Sequence, residues 1–236
     1  MKTNLSIILL TAIFAFSLSM DARAQDTKFG LKGGAALYST TASVSGFGES
    51  IEEKSGQRFG FAAGLFIESP FSDIVSGQIE ALYVQKGGKD DLEDAEVEDG
   101  DLTLSYVDVP VMIKANIPLD GNVQPFVYGG GFAGYLLDAQ AESDGQSVEE
   151  EGFELKDVLK DVNYGLVFGG GVSFGNISVD IRYDLGLANI FDSESDLIQE
   201  LLNEFGETDE IQEIEQLLDG IEITTSGLQF TVGISF

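Results

Sequence analysis

Apolar and polar residues alternate along the chain in eight separate segments. A period of two residues places successive side chains on opposite faces of a β-strand. Each segment has about ten residues or more, the length that a tilted strand needs to cross the hydrocarbon layer of a membrane. The predicted strands are residues 28–38, 58–68, 75–86, 102–117, 123–137, 162–174, 177–190 and 227–236.

The connections between these strands alternate between short and long. Residues 69–74, 118–122 and 175–176 form the short turns, and the other connections are long. In an antiparallel sheet this alternation puts the short turns and both termini on one rim and the long loops on the other. No segment after residue 25 approaches the roughly 18 unbroken apolar residues of a membrane-spanning helix.

A closed barrel is the structure that satisfies the backbone of membrane-crossing strands. We therefore predict an all-β fold: an eight-stranded antiparallel up-and-down transmembrane β-barrel with long acidic extracellular loops, the last carrying two short amphipathic helices. The last predicted strand should pair with the first and close the barrel. Aromatic residues near strand ends, among them Tyr38, Tyr106 and Tyr128, are interpreted as girdles at the membrane interfaces.

The beginning of the chain has the pattern of a secretory signal. Lys2 precedes an apolar run over residues 5–18, and Ala22-Arg23-Ala24 is a small-residue cleavage site. We expect a cleaved signal peptide over residues 1–24 and a single barrel domain over residues 25–236. An uncleaved membrane anchor is the alternative, and the lack of cysteine excludes a lipoprotein.

Acidic residues are concentrated in the long connections. The chain has a net charge of −29, and 31 of its 41 acidic residues lie in residues 39–57, 87–101, 138–160 and 191–226. Such a charge repels nucleic acid, which we exclude as a partner. No segment has the pattern of a calcium-binding loop, so we predict no defined metal site and no cofactor; a diffuse acidic field that gathers divalent cations near lipopolysaccharide is favoured.

Charged residues also lie inside the predicted strands, on the faces opposite the lipid-facing ones. An eight-stranded barrel has an interior just wide enough to be filled by side chains, so charges there must pair. We predict a plugged lumen rather than a pore. The proposed ion-pair network consists of Lys32, Arg58, Glu68, Glu80, Lys86, Asp108, Lys114, Asp180, Arg182 and Asp184.

Nothing in the composition favours catalysis. The chain has no histidine and no cysteine, which removes imidazole and thiol groups from any mechanism. Its glycine triplets lack the spacing of a phosphate-binding loop. Pairs of lumen carboxylates, such as Asp108 with Asp184, fit an ion-pair network better than an acid–base site. We assign no catalytic residue and predict that the protein is not an enzyme.

The fourth long connection contains apolar residues at helical spacing on both sides of Gly206. Two short amphipathic helices are expected there. Their apolar faces either pack on each other and cap the barrel, which we favour, or bind a partner. The candidate partner surface comprises Leu197, Leu201, Phe205, Ile214 and Leu218.

Several strand motifs together resemble the PorT-like outer-membrane β-barrel family of Bacteroidetes. They are residues 29–34 (FGLKGG), 80–87 (EALYVQKG), 106–110 (YVDVP), 165–171 (GLVFGGG) and 182–187 (RYDLGL). The resemblance implies an OmpX- or OmpA-like eight-stranded barrel in the outer membrane of a Gram-negative bacterium, with both termini periplasmic. It also implies that the terminal residues are read by the outer-membrane assembly machinery, with Phe230, Val232, Ile234 and Phe236 as the signal.

The resemblance implies little about activity, since its founding type is associated with protein secretion through the type IX system while most members have no assigned chemistry. We favour a structural or interaction role at the cell envelope, with lipid, lipopolysaccharide and an envelope or secretion protein as partners. One alternative is a small channel or transporter. Another is a soluble exported barrel that binds an apolar ligand, like a lipocalin, which requires the oily face to point inward.

Overall fold

A computed structural model describes residues 27–46, 49–89, 100–119, 121–143, 146–147, 155–205, 214 and 217–236. The predicted signal peptide and much of the acidic connections lie outside these residues. Within the described part of the chain, no helix has the length and apolar character to cross a bilayer.

The structure is a single antiparallel sheet with little helix. Its strands are β1 (Lys28–Gly46), β2 (Glu49–Lys54), β3 (Arg58–Pro70), β4 (Val75–Lys89), β5 (Gly100–Asn116), β6 (Val123–Ser143), β7 (Gln146–Ser147), β8 (Val162–Phe174), β9 (Ile177–Gly186) and β10 (Ile221–Ser235). A 3₁₀-helix covers Leu155–Val158, and helix α1 covers Asp196–Phe205.

Eight long strands form a closed ring. Each pairs antiparallel with the next, in the order β1, β3, β4, β5, β6, β8, β9 and β10, and β10 then pairs with β1. This seam runs from Gly30 opposite Ser235 to Val44 opposite Ile221. The predicted fold class, an up-and-down antiparallel barrel of eight strands, is confirmed. The short strands β2 and β7 pair with the outer ends of β1 and β6.

Several strands differ in length from the prediction. β1 continues eight residues past Tyr38, because the small and β-branched residues from Ser39 to Val44 pair with β10 on one side and β2 on the other. β6 likewise continues past Leu137 and pairs with the start of β5. Periodicity identified the apolar part of each strand. Backbone pairing with neighbouring strands makes β1 and β6 longer than this apolar part.

The seventh predicted strand is shorter than expected and ends at Gly186. The side chain of Asn189 then takes over the backbone pairing: its Nδ2 donates to the carbonyl of Ile221 at 2.8 Å, and its Oδ1 accepts from the amide of Ile223 at 2.9 Å. Regular pairing therefore ends here, although the amide of Ile190 still donates to the carbonyl of Ile223 at 2.8 Å. Ile190, which was predicted to end the strand, is fully buried.

The outer wall of the barrel is apolar. On β3, Phe59, Phe61 and Leu65 are 70%, 48% and 58% exposed, and the intervening Gly60 and Ala62 are buried. The same alternation continues around the wall, as a surface in contact with lipid requires. Other exposed residues of this belt are Phe29, Leu31, Val127, Leu166, Phe168, Val179, Ile181, Phe230, Val232 and Ile234.

An apolar cluster lies at the end of the barrel where the long loops begin. Leu104, Leu136 and Ile190 are completely buried there, and side chains from the 3₁₀-helix and its surroundings pack on them. Helix α1 lies against the 3₁₀-helix. We call this the apolar cap; its members are Leu104, Tyr106, Leu136, Ala139 and Ile190, with Leu102, Leu155, Leu159 and Ile223 packed around them.

The first of the two predicted helices in the fourth connection is α1. Of the second, Ile214 and residues 217–219 are helical and the rest lies outside the described residues. Strand β10 begins two residues later, at Ile221. Leu197 and Leu218 are half-buried, whereas Ile214 is exposed. The side chains of Leu201 and Phe205 also lie outside the described residues.

Candidate functional site in the barrel lumen

A group of five charged side chains lies at the centre of the lumen. Lys32 Nζ is 2.7 Å from Glu80 Oε1 and 3.2 Å from Asp180 Oδ2. Arg182 Nη1 is 2.6 Å from the other oxygen of Glu80, and Arg182 Nε is 3.4 Å from Asp184 Oδ1. Each of these side chains is at most 4% exposed. Five strand residues predicted for an ion-pair network are thus in mutual contact.

Neutral side chains complete this group, and the charge pattern did not identify them. They share the inward face of their strands with the charges, so strand parity was the signal available for finding them. The contacts are Gln78 Nε2 to Glu80 at 2.6 Å, Tyr128 Oη to Asp180 at 2.6 Å, Thr231 Oγ1 to Asp180 at 3.0 Å, Gln229 Nε2 to Asp184 at 2.7 Å, and Tyr38 Oη to Asp184.

A second ion pair lies closer to the apolar cap. Lys86 Nζ is 2.8 Å from Asp108 Oδ2, and both side chains are almost completely buried. The ammonium lies 4.4 Å from the ring centroid of Phe132, 4.9 Å from that of Tyr106 and 5.6 Å from that of Tyr38. Aromatic ring faces attract a cation at such distances, so the three rings add to the attraction of the carboxylate.

A third ion pair lies at the short-turn end of the lumen. Lys114 Nζ is 2.7 Å from Glu68 Oε2, and Ser76 donates to the other carboxylate oxygen at 2.9 Å. The same ammonium lies 4.1 Å from the ring centroid of Phe126. A cavity of about 60 Å³ beside this pair is lined by polar side chains, including Gln78 and Asp180. The lumen therefore retains a small polar recess at this end.

Arg58 is the exception among the ten predicted network residues. It begins β3 near the long-loop rim, and its Nε pairs with Asp101 at 2.6 Å, with both side chains partly exposed. In the described part of the chain its ion pair is with Asp101 rather than with a lumen carboxylate, because its strand position lies beyond the apolar part of β3. Asp101 had been counted as part of an acidic loop and belongs to β5.

The interpretation of three tyrosines as interfacial girdle residues is wrong. Tyr38, Tyr106 and Tyr128 are 1%, 0% and 7% exposed and point into the lumen. Each tyrosine lies an even number of residues from a lumen charge on its own strand, or directly opposite one on the neighbouring strand, and so shares its face. Their proximity to strand ends had suggested an interface, but parity determines the face.

The lumen is chemically unsuited to a lipocalin-like role. Such a protein holds an apolar ligand inside, whereas this interior contains four ion-paired cations and five carboxylates, and the oily faces point outward. Among the described residues, no group of three or more carboxylates is arranged to hold a metal ion. The lumen acts as a packed polar core.

A closed antiparallel barrel with an apolar belt and a polar, ion-paired interior defines the class of outer-membrane β-barrel proteins. The chain belongs to the family described as the outer membrane protein beta-barrel domain, whose family model matches residues 23–192. No significant match was found among curated proteins.

Three solved structures to which this chain is similar are the following. Ail of Yersinia pestis, crystallised with the heparin analogue sucrose octasulfate, is 14% identical over 90% of this chain and 100% of Ail, with a TM-score of 0.36. Neisserial surface protein A is 12% identical over 88% and 97% of the two chains, with a TM-score of 0.41. OprG from Pseudomonas aeruginosa is 11% identical over 89% and 95%, with a TM-score of 0.43.

Proposed function

We propose that this protein is a non-enzymatic outer-membrane barrel with a structural or interaction role, exerted through its long-loop rim. The observation that supports this proposal is the filled lumen: paired charges occupy its centre and the apolar cap lies across one end. A barrel built in this way offers its rims and its outer wall, rather than its interior, to other molecules.

The proposal includes an orientation in the membrane. The long-loop rim faces the outside, and the short turns face the periplasm together with both termini, as the PorT-like resemblance implies. Because the chain has no cysteine, single cysteines report this orientation directly. Gln199 on helix α1 and Asn176 in the turn between β8 and β9 are both exposed, on opposite rims.

We expect a membrane-impermeant maleimide to label the Gln199→Cys variant on intact cells and to leave the Asn176→Cys variant unlabelled until the outer membrane is permeabilised. Labelling of Asn176→Cys alone on intact cells would reverse the orientation. Equal labelling of both in intact cells would contradict a membrane-spanning position for the barrel. The wild-type chain provides the background control.

The partners in this proposal are outer-membrane lipid, lipopolysaccharide and, during biogenesis, the outer-membrane assembly machinery. An envelope or secretion protein is the further partner, and the secretion link rests on the PorT-like resemblance alone. A photo-crosslinking residue at Gln199 should capture a protein partner in cells, while the same residue at Asn176 serves as the matched control. If position 199 captures only lipid, the interaction role loses its support.

A channel is the competing function and has a direct test. Planar-bilayer recordings of the purified barrel should show no steady conductance, because the ion-paired groups and the apolar cap lie across the lumen. A steady, solute-selective conductance would replace the interaction role with transport.

A further inference from the structure

The surroundings of Lys86 have the composition of an ammonium-binding site. Three aromatic rings and one carboxylate surround the Nζ atom, at 4.4, 4.9 and 5.6 Å from the ring centroids and 2.8 Å from Asp108. These groups come from β1, β5 and β6, whereas the lysine comes from β4. Rings and carboxylate together are the chemistry that recognises alkylammonium ions.

The surroundings of Lys86 also contain buried polar atoms that have no hydrogen-bond partner among the described residues. Lys86 Nζ and Asp108 Oδ2 are 2.8 Å apart, and in the described part of the chain the other Asp108 oxygen and the hydroxyl of Tyr106 are buried without a hydrogen-bond partner. Buried polar atoms normally have partners. The carboxylate of Asp108 and the faces of three rings are therefore the groups that hold the ammonium.

The position of Lys86 also distinguishes it from the other lumen cations. Lys32 and Arg182 each contact two carboxylates, and Lys114 lies beside a polar recess at the short-turn end. Lys86 has one carboxylate and three rings, and its side chain is completely buried below the apolar cap. The buried Lys86 ammonium therefore lies among three rings and one carboxylate.

We propose that the lumen between β1, β5 and β6 is an ammonium-binding site occupied by the protein's own Lys86, and that it takes a free primary alkylammonium ion when this side chain is removed. The site is independent of the proposed envelope role. Replacing Lys86 by alanine deletes three carbons and the ammonium, so n-propylammonium supplies the missing atoms.

The test uses the full processed chain folded in detergent, with the Lys86→Ala variant refolded in n-propylammonium chloride, potassium chloride or 1-propanol. The temperature at which the folded band converts to the unfolded band on a gel is measured. We expect the substitution to lower this temperature and n-propylammonium to raise it again by at least about 2 °C, with no such effect of potassium chloride. The double variant Lys86→Ala, Asp108→Asn should lose the response.

An equal response to 1-propanol would overturn the proposal, because the pocket would then accept any chain of the right volume without recognising charge. A Lys86→Ala variant as stable as the wild type would also overturn it. If this variant folds only in n-propylammonium, the proposal is supported.

A second measurement on the unmodified protein is decisive if the variant does not fold under any condition. Three ring faces around one ammonium shift the proton resonances of the neighbouring ε-methylene group upfield. We expect the ε-methylene protons of Lys86 to lie upfield of those of the exposed Lys54 and Lys160 in an NMR spectrum of the folded barrel. Resonances at the ordinary lysine position would refute the site.

Discussion

Most lumen charges meet counter-charges from other strands; Asp184, whose counter-charge Arg182 lies on the same strand, is the exception among the pairs described above. Glu80 of β4 is held by Lys32 of β1 and Arg182 of β9, at 2.7 and 2.6 Å. Removing one member of a buried ion pair is more costly than replacing both, since the partner charge stays buried without compensation. Single substitutions here are therefore sensitive probes of the network.

Replacing Glu80 by glutamine should destabilise the folded barrel by about 3 kcal/mol, because two buried cations lose their shared carboxylate. The control is Glu52→Gln on the exposed strand β2, for which a change within about 0.5 kcal/mol is expected. Both free energies of unfolding are measurable in urea by the gel shift between folded and unfolded protein. Similar values for the two variants would contradict an energetically important network.

Two adjacent glycines of β6 provide a matched pair for testing the strand packing. A Cβ atom on Gly130 would lie 2.0 Å from the carbonyl oxygen of Val111 on β5, whereas one on Gly129 would have its nearest neighbour, the Val167 carbonyl oxygen, at 3.7 Å. Gly130→Ala should therefore cost about 1–3 kcal/mol, because the backbone of β5 must move.

Gly129→Ala is expected to change the free energy of unfolding by less than about 0.5 kcal/mol. The urea unfolding of the two variants in the same detergent distinguishes them. Equal destabilisation would show that loss of glycine itself, rather than contact with β5, determines the effect.

The sequence predicted which charged residues point into the lumen, but it did not predict which side chains they contact there. Parity along each strand was sufficient to place Lys32, Glu80 and Arg182 inward, since a one-residue error would have turned them to lipid. Which cation meets which carboxylate depends on the stagger between strands, and this is not readable from periodicity. Gln229 and Thr231 share the inward face of β10, and their roles as partners of Asp184 and Asp180 depend on that same stagger.

Among the elements, helix α1 lies outside the barrel sheet, at the long-loop rim. Ser195 precedes it, accepts a hydrogen bond on its hydroxyl oxygen from the amide of Ile198 at 3.4 Å, and accepts another on its carbonyl from the amide of Gln199 at 3.0 Å. This is the geometry of an N-cap, which satisfies one of the amides left free at the start of a helix.

Replacing Ser195 by alanine should weaken the first turn of α1 by about 1 kcal/mol and leave the barrel intact. We expect hydrogen exchange of the Gln199 amide to become about fivefold faster, while amides in β9 keep their wild-type rates. Unchanged exchange at Gln199 would mean that packing on the 3₁₀-helix, rather than the cap, determines the stability of this turn.

Element types were predictable from periodicity, and element ends were not. The apolar alternation that identified β9 continues through Leu187, yet the strand ends at Gly186 because the Asn189 side chain replaces the next backbone pairings. β1 extends through a stretch of serine, threonine and alanine whose pattern carries no signal of burial. Pairing with a neighbouring strand determines both ends.

For the whole molecule, the register of the seam between β1 and β10 is the feature that closes the barrel. Ala35 lies opposite Phe230, and Val232 lies two residues further along β10, opposite Gly33. Directly opposite residues of antiparallel strands are close enough for a disulfide, and residues displaced by two are not.

The double variant Ala35→Cys, Phe230→Cys should therefore form an intramolecular disulfide in the folded barrel, visible on a non-reducing gel. The control pair Ala35→Cys, Val232→Cys should remain reduced under the same conditions. The reverse result would establish a seam shifted by two residues, and no disulfide in either pair would indicate an open sheet. The lack of native cysteine keeps this experiment free of competing thiols.

The span of the lumen ion pairs along the chain constrains the order in which the barrel can assemble. Lys32 meets Asp180, and Arg182 meets Glu80, across sequence separations of 148 and 102 residues. A single hairpin that entered lipid alone would bury its charged side chain without the oppositely charged partner. This would cost a free energy of several kcal/mol per ion. The N-terminal strands must therefore stay in contact with water until the C-terminal strands are present. Crossing of the bilayer and closure of the ring then occur as one concerted event.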